Sequence, residues 1–297
     1  MAAGGAWVAL AAGAPGWQVL LMMLAIVHLH ALVLAFEFML LARVDPGPGI
    51  PRPQPGALLR AWWGEVWTGF RVFGWRQPFR AETVPDRPIG RAPGPRRGVL
   101  LVHGFVCNRG LWNPWMERFA AEGVPFIAVN LEPVFGSIDR YVPIIEQAVQ
   151  RLHAAGHPEP LIVAHSMGGL AVRAWMNTCA GAERVHSIVT IGTPHHGTVL
   201  ARFGLSRNAR QMRRHSRWLA ALQAAETPSQ RALFTCYFGH CDNIVVPAGT
   251  ATLPGADNRH VPGVAHVHLA FQSQVLDDVI ARTAVAAGAR EPIDQQA

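Results

Sequence analysis

The sequence predicts an α/β protein with a mostly parallel central sheet flanked by helices, preceded by an N-terminal transmembrane helix. Three observations carry this. From Gly98 onward, short apolar runs alternate with stretches of helical period. Near the N-terminus, one long stretch is apolar almost throughout. And 50% of the chain is hydrophobic, enough to build a large core in one domain or two small ones.

The N-terminal stretch runs from Trp17 to Ala42, WQVLLMMLAIVHLHALVLAFEFMLLA, broken only by Gln18, His28, His30 and Glu37. About 20 apolar residues suffice for a helix to cross the hydrocarbon core. A cleavable signal peptide needs a basic leader and a small-residue cleavage site. Residues 1–16 hold no Arg, and Ala42-Arg43-Val44 is a poor site, so the expectation is an uncleaved anchor over 1–44. Glu37 and the two histidines are costly in lipid and keep open a second reading, a buried hydrophobic helix or hairpin. Arg43, Arg52 and Arg60 follow the anchor, which by the positive-inside rule favours a cytoplasmic location for the rest of the chain.

Residues 45–97 are expected to form a linker and an interfacial segment. Asp45 to Gly56 (DPGPGIPRPQPG) is rich in Pro and Gly and has no evident means of packing a core. Residues 57–80 interleave Trp and Phe with Arg60, Arg71, Arg76 and Arg80, which suits a membrane interface. A helix packed on the catalytic domain fits equally well. A second Pro-rich stretch, Pro85 to Pro95, follows.

The main α/β domain is expected over 98–288. Its apolar runs are 99–105, 125–132, 160–166, 185–194 and 232–239, with helical segments around 111–122, 138–154 and 168–179. Continuous apolar strands alternating with helices indicate a parallel sheet covered on both faces. Residues 289–297 read as a frayed tail.

The chemistry centres on Ala164-His165-Ser166-Met167-Gly168-Gly169. It lacks the first Gly of G-x-S-x-G, but the small residues flanking the serine still allow a strand to turn sharply into a helix with the hydroxyl at the apex. The context supports this, since PLIVAHS reads as a buried strand and GGLAVRAWMN as a helix start. An attacking serine needs backbone donors for the oxyanion. Met167, just after the nucleophile, is one; Phe105, at the turn after VLLVHG, is the other. His103 reads as structural.

In this order of parts an acid follows the serine on a later strand, and a histidine follows the acid. Asp242 stands just beyond ALFTCYFG, where a strand end would present it; Asp257 and Glu226 are its rivals. His266, in GVAHVHL ahead of a final helix, is the expected base, with His268 as competitor. His-x-His also suggests zinc, but no further ligands stand at metal spacing, so neither metal nor cofactor is expected.

The chain resembles bacterial triacylglycerol lipases and carboxylesterases of the α/β-hydrolase superfamily. The resemblance rests on VHGF (102–105), AHSMGG (164–169), IGTPHHG (191–197), CDNIVVP (241–247) and GVAHVHL (263–269), in that order. It implies an α/β-hydrolase fold, hydrolysis of acyl esters through an acyl-enzyme, a Ser166–His266–Asp242 triad, and a segment from Gly192 leading over the active site. Residues 197–231 would form the cap, with one helical run over 206–226 carrying Arg207, Arg210, Arg213, Arg214 and Arg217. With the anchor, the resemblance implies a bacterial inner-membrane enzyme acting on acyl esters or lipids. Thioesterase, amidase or phospholipase action and a non-catalytic scaffold are the alternative readings, because fold alone does not choose among activities.

The charge balance agrees with a lipid partner. The chain has no Lys, so its net charge of +7 comes from Arg and favours anionic surfaces. No zinc module, basic helix or stacking motif for nucleic acid is evident. Four cysteines do not make a disulfide framework. Cys236 and Cys241 are close enough in sequence to pair in an oxidising compartment; otherwise all four are reduced thiols.

Overall fold

The computed structural model describes residues 13, 15–89 and 96–285. The tail at 289–297 and the end of the second Pro-rich stretch lie outside the described residues.

Six strands form one sheet in the order β2-β1-β3-β4-β5-β6, every adjacent pair parallel. They are β1 (Val99–Val102), β2 (Phe126–Ala128), β3 (Leu161–His165), β4 (Ser187–Ile191), β5 (Phe234–Phe238) and β6 (Asp257–His260). Side chains alternate between faces along each strand, and the two faces feed separate cores. Leu100, Ile162, Ile188 and Phe234 pack with residues 142–152 and 167–176 on one side. Val99, Leu101, Val163, Val189 and Tyr237 pack with residues 112–119 and 275–280 on the other. Burial on both faces explains why the first five strands read as continuous apolar runs.

The sixth strand breaks that rule. Asp-Asn-Arg-His, at one edge of the sheet, is polar and largely exposed, whereas β2 at the other edge is buried. Asp257, the rival of Asp242 for the acid, lies on β6 and pairs with Arg259 at 2.8 Å.

Helices α3 (Asn113–Ala121), α4 (Val142–Ala154) and α5 (Met167–Thr178) cover the sheet where helical period was expected. The cap differs from expectation. Instead of one helical run, residues 206–232 form α6 (Arg207–Gln211), α7 (Arg217–Ala224) and α8 (Pro228–Ala232). Ser206, Ser216 and Thr227 each cap a new helix by accepting a backbone N–H. These residues favour caps over helix interiors because their hydroxyls compete with the backbone ladder.

Helix α1 spans Gly16–Arg43, 28 residues with a mean hydropathy of 2.5 over its most apolar window, of which 11% is buried. It is long and apolar enough to cross a membrane. Helix α2 (Pro55–Gly69) starts with Pro at its first turn, where the missing N–H costs nothing. It continues through a π-helical segment, Phe70–Arg76. Its buried residues, Ala61, Glu65, Gly69 and Val72, recur every three or four positions and so form one face. Trp63, Trp67, Phe70 and Trp75 are exposed. One face of residues 57–80 is therefore packed on the rest of the protein, and the other carries exposed aromatic rings.

The linker before α2 is packed, contrary to expectation. Ile50 lies against Phe238, Val245 and Ala251, and Gly249 N–H donates to Pro46 O at 2.8 Å. All four cysteines, Cys236 and Cys241 among them, are free thiols.

Candidate active site

The C-terminal ends of β1, β3, β4 and β5 converge at one edge of the sheet, where ligands bind in open parallel sheets. Between β3 and α5 stands Ser166, with φ 55° and ψ −130°. A non-glycine residue at positive φ is strained, and such strain persists only where its surroundings enforce it. Here they do: Ser166 N–H donates to Ile191 O at 2.9 Å, and Thr193 Oγ1 donates to Ser166 O at 2.8 Å. Ala164, in place of the usual glycine, is fully buried in β3 without disturbing the turn.

The structure brings Ser166, His266 and Asp242 together. His266 Nε2 lies 2.9 Å from Ser166 Oγ, and His266 Nδ1 lies 2.9 Å from Asp242 Oδ2. An ionised carboxylate only accepts, so Nδ1 carries the proton and Nε2 faces the hydroxyl as acceptor. Asp242 is oriented in turn by the N–H groups of Ile244 and Val245, both donating to Oδ1 (2.9 and 2.8 Å). Burial alone would lower the pKa of His266, but the Asp242 carboxylate outweighs it, with help from Glu65 and Glu37, and the net shift is upward.

Two glycines let the backbone reach these atoms. Gly192, at φ +57°, passes so close that a Cβ there would sit 3.1 Å from both Asp242 Oδ2 and His266 Nδ1. A Cβ at Gly104 would come within 2.7 Å of Ser166 Cβ. The loop carrying Phe105 is thereby held against the serine. The N–H groups of Phe105 and Met167 donate to no acceptor among the described residues. This pair of amides belongs to the residue after Ser166 and to the residue after Gly104.

The remaining candidates do other work. His103 donates from Nδ1 to Gly104 O (2.9 Å) and accepts Leu131 N–H at Nε2 (3.0 Å), bracing the Phe105 loop. Burial lowers its pKa to about 4, so it stays neutral. Glu226 is engaged in a fully buried bidentate pair with Arg173 (2.6 and 2.8 Å), which also donates to His195 O at 2.9 Å. His268 points away from Ser166, toward Gly64 of α2. Among the described residues no cluster of His, Cys, Asp and Glu stands at metal-binding geometry.

Three side chains at this site escaped the sequence reading. Glu65 of α2 and Asn243 beside Asp242 accept backbone N–H groups at residues 266–268, and Glu37 of α1 accepts from the Asn243 side-chain amide. A signal existed for Glu37, since an acid inside an otherwise apolar helix is a functional hint. Nothing marked Glu65.

A parallel sheet with a strained serine between strand and helix, and with acid and histidine on later loops, defines the α/β-hydrolase fold, and this chain has it. A model of the PGAP1-like alpha/beta domain matches residues 138–260. Solved lipases share the fold. Mature lipase BlEst2 of Bacillus licheniformis superposes with a TM-score of 0.59 at 15% identity, covering 67% of this chain and 96% of that one. Its propeptide form gives 0.57 at 16% identity, with coverages of 70% and 54%. Aspergillus fumigatus lipase B gives 0.50 at 17% identity, with coverages of 56% and 44%.

Proposed function

We propose that this protein is a membrane-anchored serine hydrolase that cleaves carboxylic esters of acyl chains. The observation that carries the proposal is the unbroken hydrogen-bonded relay from Ser166 Oγ through His266 to Asp242. In this reading His266 Nε2 takes the Ser166 proton as Oγ attacks the ester carbonyl. The oxyanion is held by the N–H groups of Phe105 and Met167. His266 then returns the proton to the leaving alcohol, and the acyl group stays on Ser166. Water, deprotonated by the same imidazole, releases the acid and restores the serine. Asp242 holds the imidazole tautomer throughout.

An apolar acyl group suits the surroundings. Phe105 packs edge-on against Phe135 (5.9 Å), whose ring is exposed, so an aromatic wall stands beside the serine loop. The anchor reading rests on α1 and on the exposed aromatic face of α2, where Arg71 lies over Trp67 at 4.9 Å. The docking of Phe38 and Leu41 on the site loops supports a helix retained in the working protein.

The test is hydrolysis of p-nitrophenyl esters from acetate to palmitate by the full chain in detergent, with fluorophosphonate labelling alongside. Ser166→Ala is expected to lose about 10⁴-fold or more of kcat and all labelling. Wild-type protein that neither turns over any ester nor takes the label would overturn the reading.

A further inference from the structure

Helix α9 (His266–Leu269) begins at the proposed general base, and its first three backbone N–H groups need partners from outside the helix. A helix usually recruits a Ser, Thr, Asp or Asn at its N-cap. The residue there is Ala265, which has no polar side chain. All three donors are nonetheless satisfied. His266 N–H reaches Asn243 Oδ1 at 3.3 Å. Val267 N–H and His268 N–H reach the two oxygens of Glu65 at 2.8 and 3.0 Å. Glu65 is 2% exposed and comes from α2, some two hundred residues earlier in the chain.

The Asn243 contact depends on the other N-terminal helix. Asn243 Nδ2–H donates to Glu37 Oε2 at 2.6 Å. An amide has one donating and one accepting end, and a carboxylate takes only the donating one. Glu37 therefore turns the accepting oxygen of Asn243 toward His266 N–H. Apolar packing gives helices little drive to associate in lipid, so these polar contacts specify where α1 and α2 meet the site. Phe38, Leu41 and Ala61 close around them, against Cys241, Val246 and Ala265.

We infer that Glu65, and Glu37 acting through Asn243, are positioning residues that hold the backbone of the general base, so that the N-terminal helical pair is a working part of the active site as well as a tether. The inference rests on the proposed roles of Ser166, His266 and Asp242. Neither acid touches the reacting atoms. They clamp the turn from which the imidazole projects, and their negative charge favours the imidazolium formed during attack.

The test uses the full chain in detergent or nanodiscs. Glu37→Leu removes the acceptor for Asn243 while keeping α1 apolar, and Glu37→Gln retains an acceptor oxygen. Glu65→Gln retains one of two acceptors. Misplacing a catalytic group by about 1 Å costs about 10²-fold, and the losses expected are of that order for Glu65→Gln and about tenfold for Glu37→Leu. Both fall on kcat and on the fluorophosphonate labelling rate, with KM for a short ester unchanged and Glu37→Gln restoring most of the rate. Wild-type kcat in Glu37→Leu and Glu65→Gln, in a protein whose activity Ser166→Ala abolishes, would overturn the inference alone. So would a loss in Glu37→Leu that Glu37→Gln fails to rescue. An inactive, unlabelled wild type would instead overturn the functional reading, and the inference with it.

Discussion

The sheet domain and the N-terminal helical pair bury their carboxylates in different ways. In the sheet domain Glu226 is locked to Arg173 and Asp242 to His266, each with a basic partner at hydrogen-bonding distance. In the helical pair Glu37 meets a side-chain amide and Glu65 two backbone amides. The surfaces differ too. The sheet domain turns its apolar residues inward, whereas α1 turns Leu20, Leu24, Leu32 and Phe36 outward and Glu37 in. The proposed anchoring accounts for this, since a region solvated by lipid has its polar groups on the inside and a region solvated by water has its apolar ones there. Dipoles compensate a buried charge less fully than an opposite charge does. Burial accordingly raises the pKa of Glu65 to about 7 against the opposing pull of its two amide bonds.

The contrast can be broken or sharpened in four ways, from the largest effect down. Asp242→Asn keeps the shape of the site but lets the imidazole take the wrong tautomer, and kcat on a soluble ester is expected to fall by about 10⁴-fold. An equal loss in Asp257→Asn would return the role to the edge strand. Next, Glu226→Gln leaves Arg173 buried and uncompensated, which costs about 3–5 kcal/mol. Thermal unfolding should show that cost, while molecules still folded at low temperature turn over normally. Lost activity with unchanged stability would make Glu226 the catalytic acid.

The third is the pH profile. His266 must be neutral to accept a proton, and its pKa lies above the ordinary 6.5. Activity should therefore decline as pH falls through a value above 6.5. Glu65, titrating near 7, loses an acceptor lone pair over the same range, so the acid limb of kcat should be steeper than one proton and should relax toward one in Glu65→Gln. Single-proton steepness in wild type would show that Glu65 stays ionised. The smallest effect is expected from Trp63→Ser with Trp67→Ser on the exposed face of α2. Hydrolysis of vesicle-borne esters should fall a few-fold while that of a soluble ester is unchanged, because only interfacial docking loses the rings.

Much of this was legible in the chain itself. Ser166 could be read because the turn from buried strand to helix around it is a local event, encoded in a dozen consecutive residues. The first five strands were legible for a similar reason, since burial on both faces leaves an apolar run. The edge strand β6 was not, because one exposed flank and four polar residues look like a loop. The cap was read as one helical run because its arginine-rich periodicity is continuous, while the breaks depend on which of three hydroxyls capture the backbone.

What the sequence alone determined is the fold class, the strained serine turn, and an apolar N-terminal segment long enough to cross a membrane. Each is written in neighbouring residues, through hydrophobic period and turn chemistry. Only the tertiary structure decided which carboxylate meets His266 and which meets Arg173, and that the lone acid of the apolar helix meets Asn243. Those outcomes depend on residues far apart in the chain arriving within 3 Å of one another. Hydrogen-bond direction and buried charge act at that range and leave no periodic trace in the sequence.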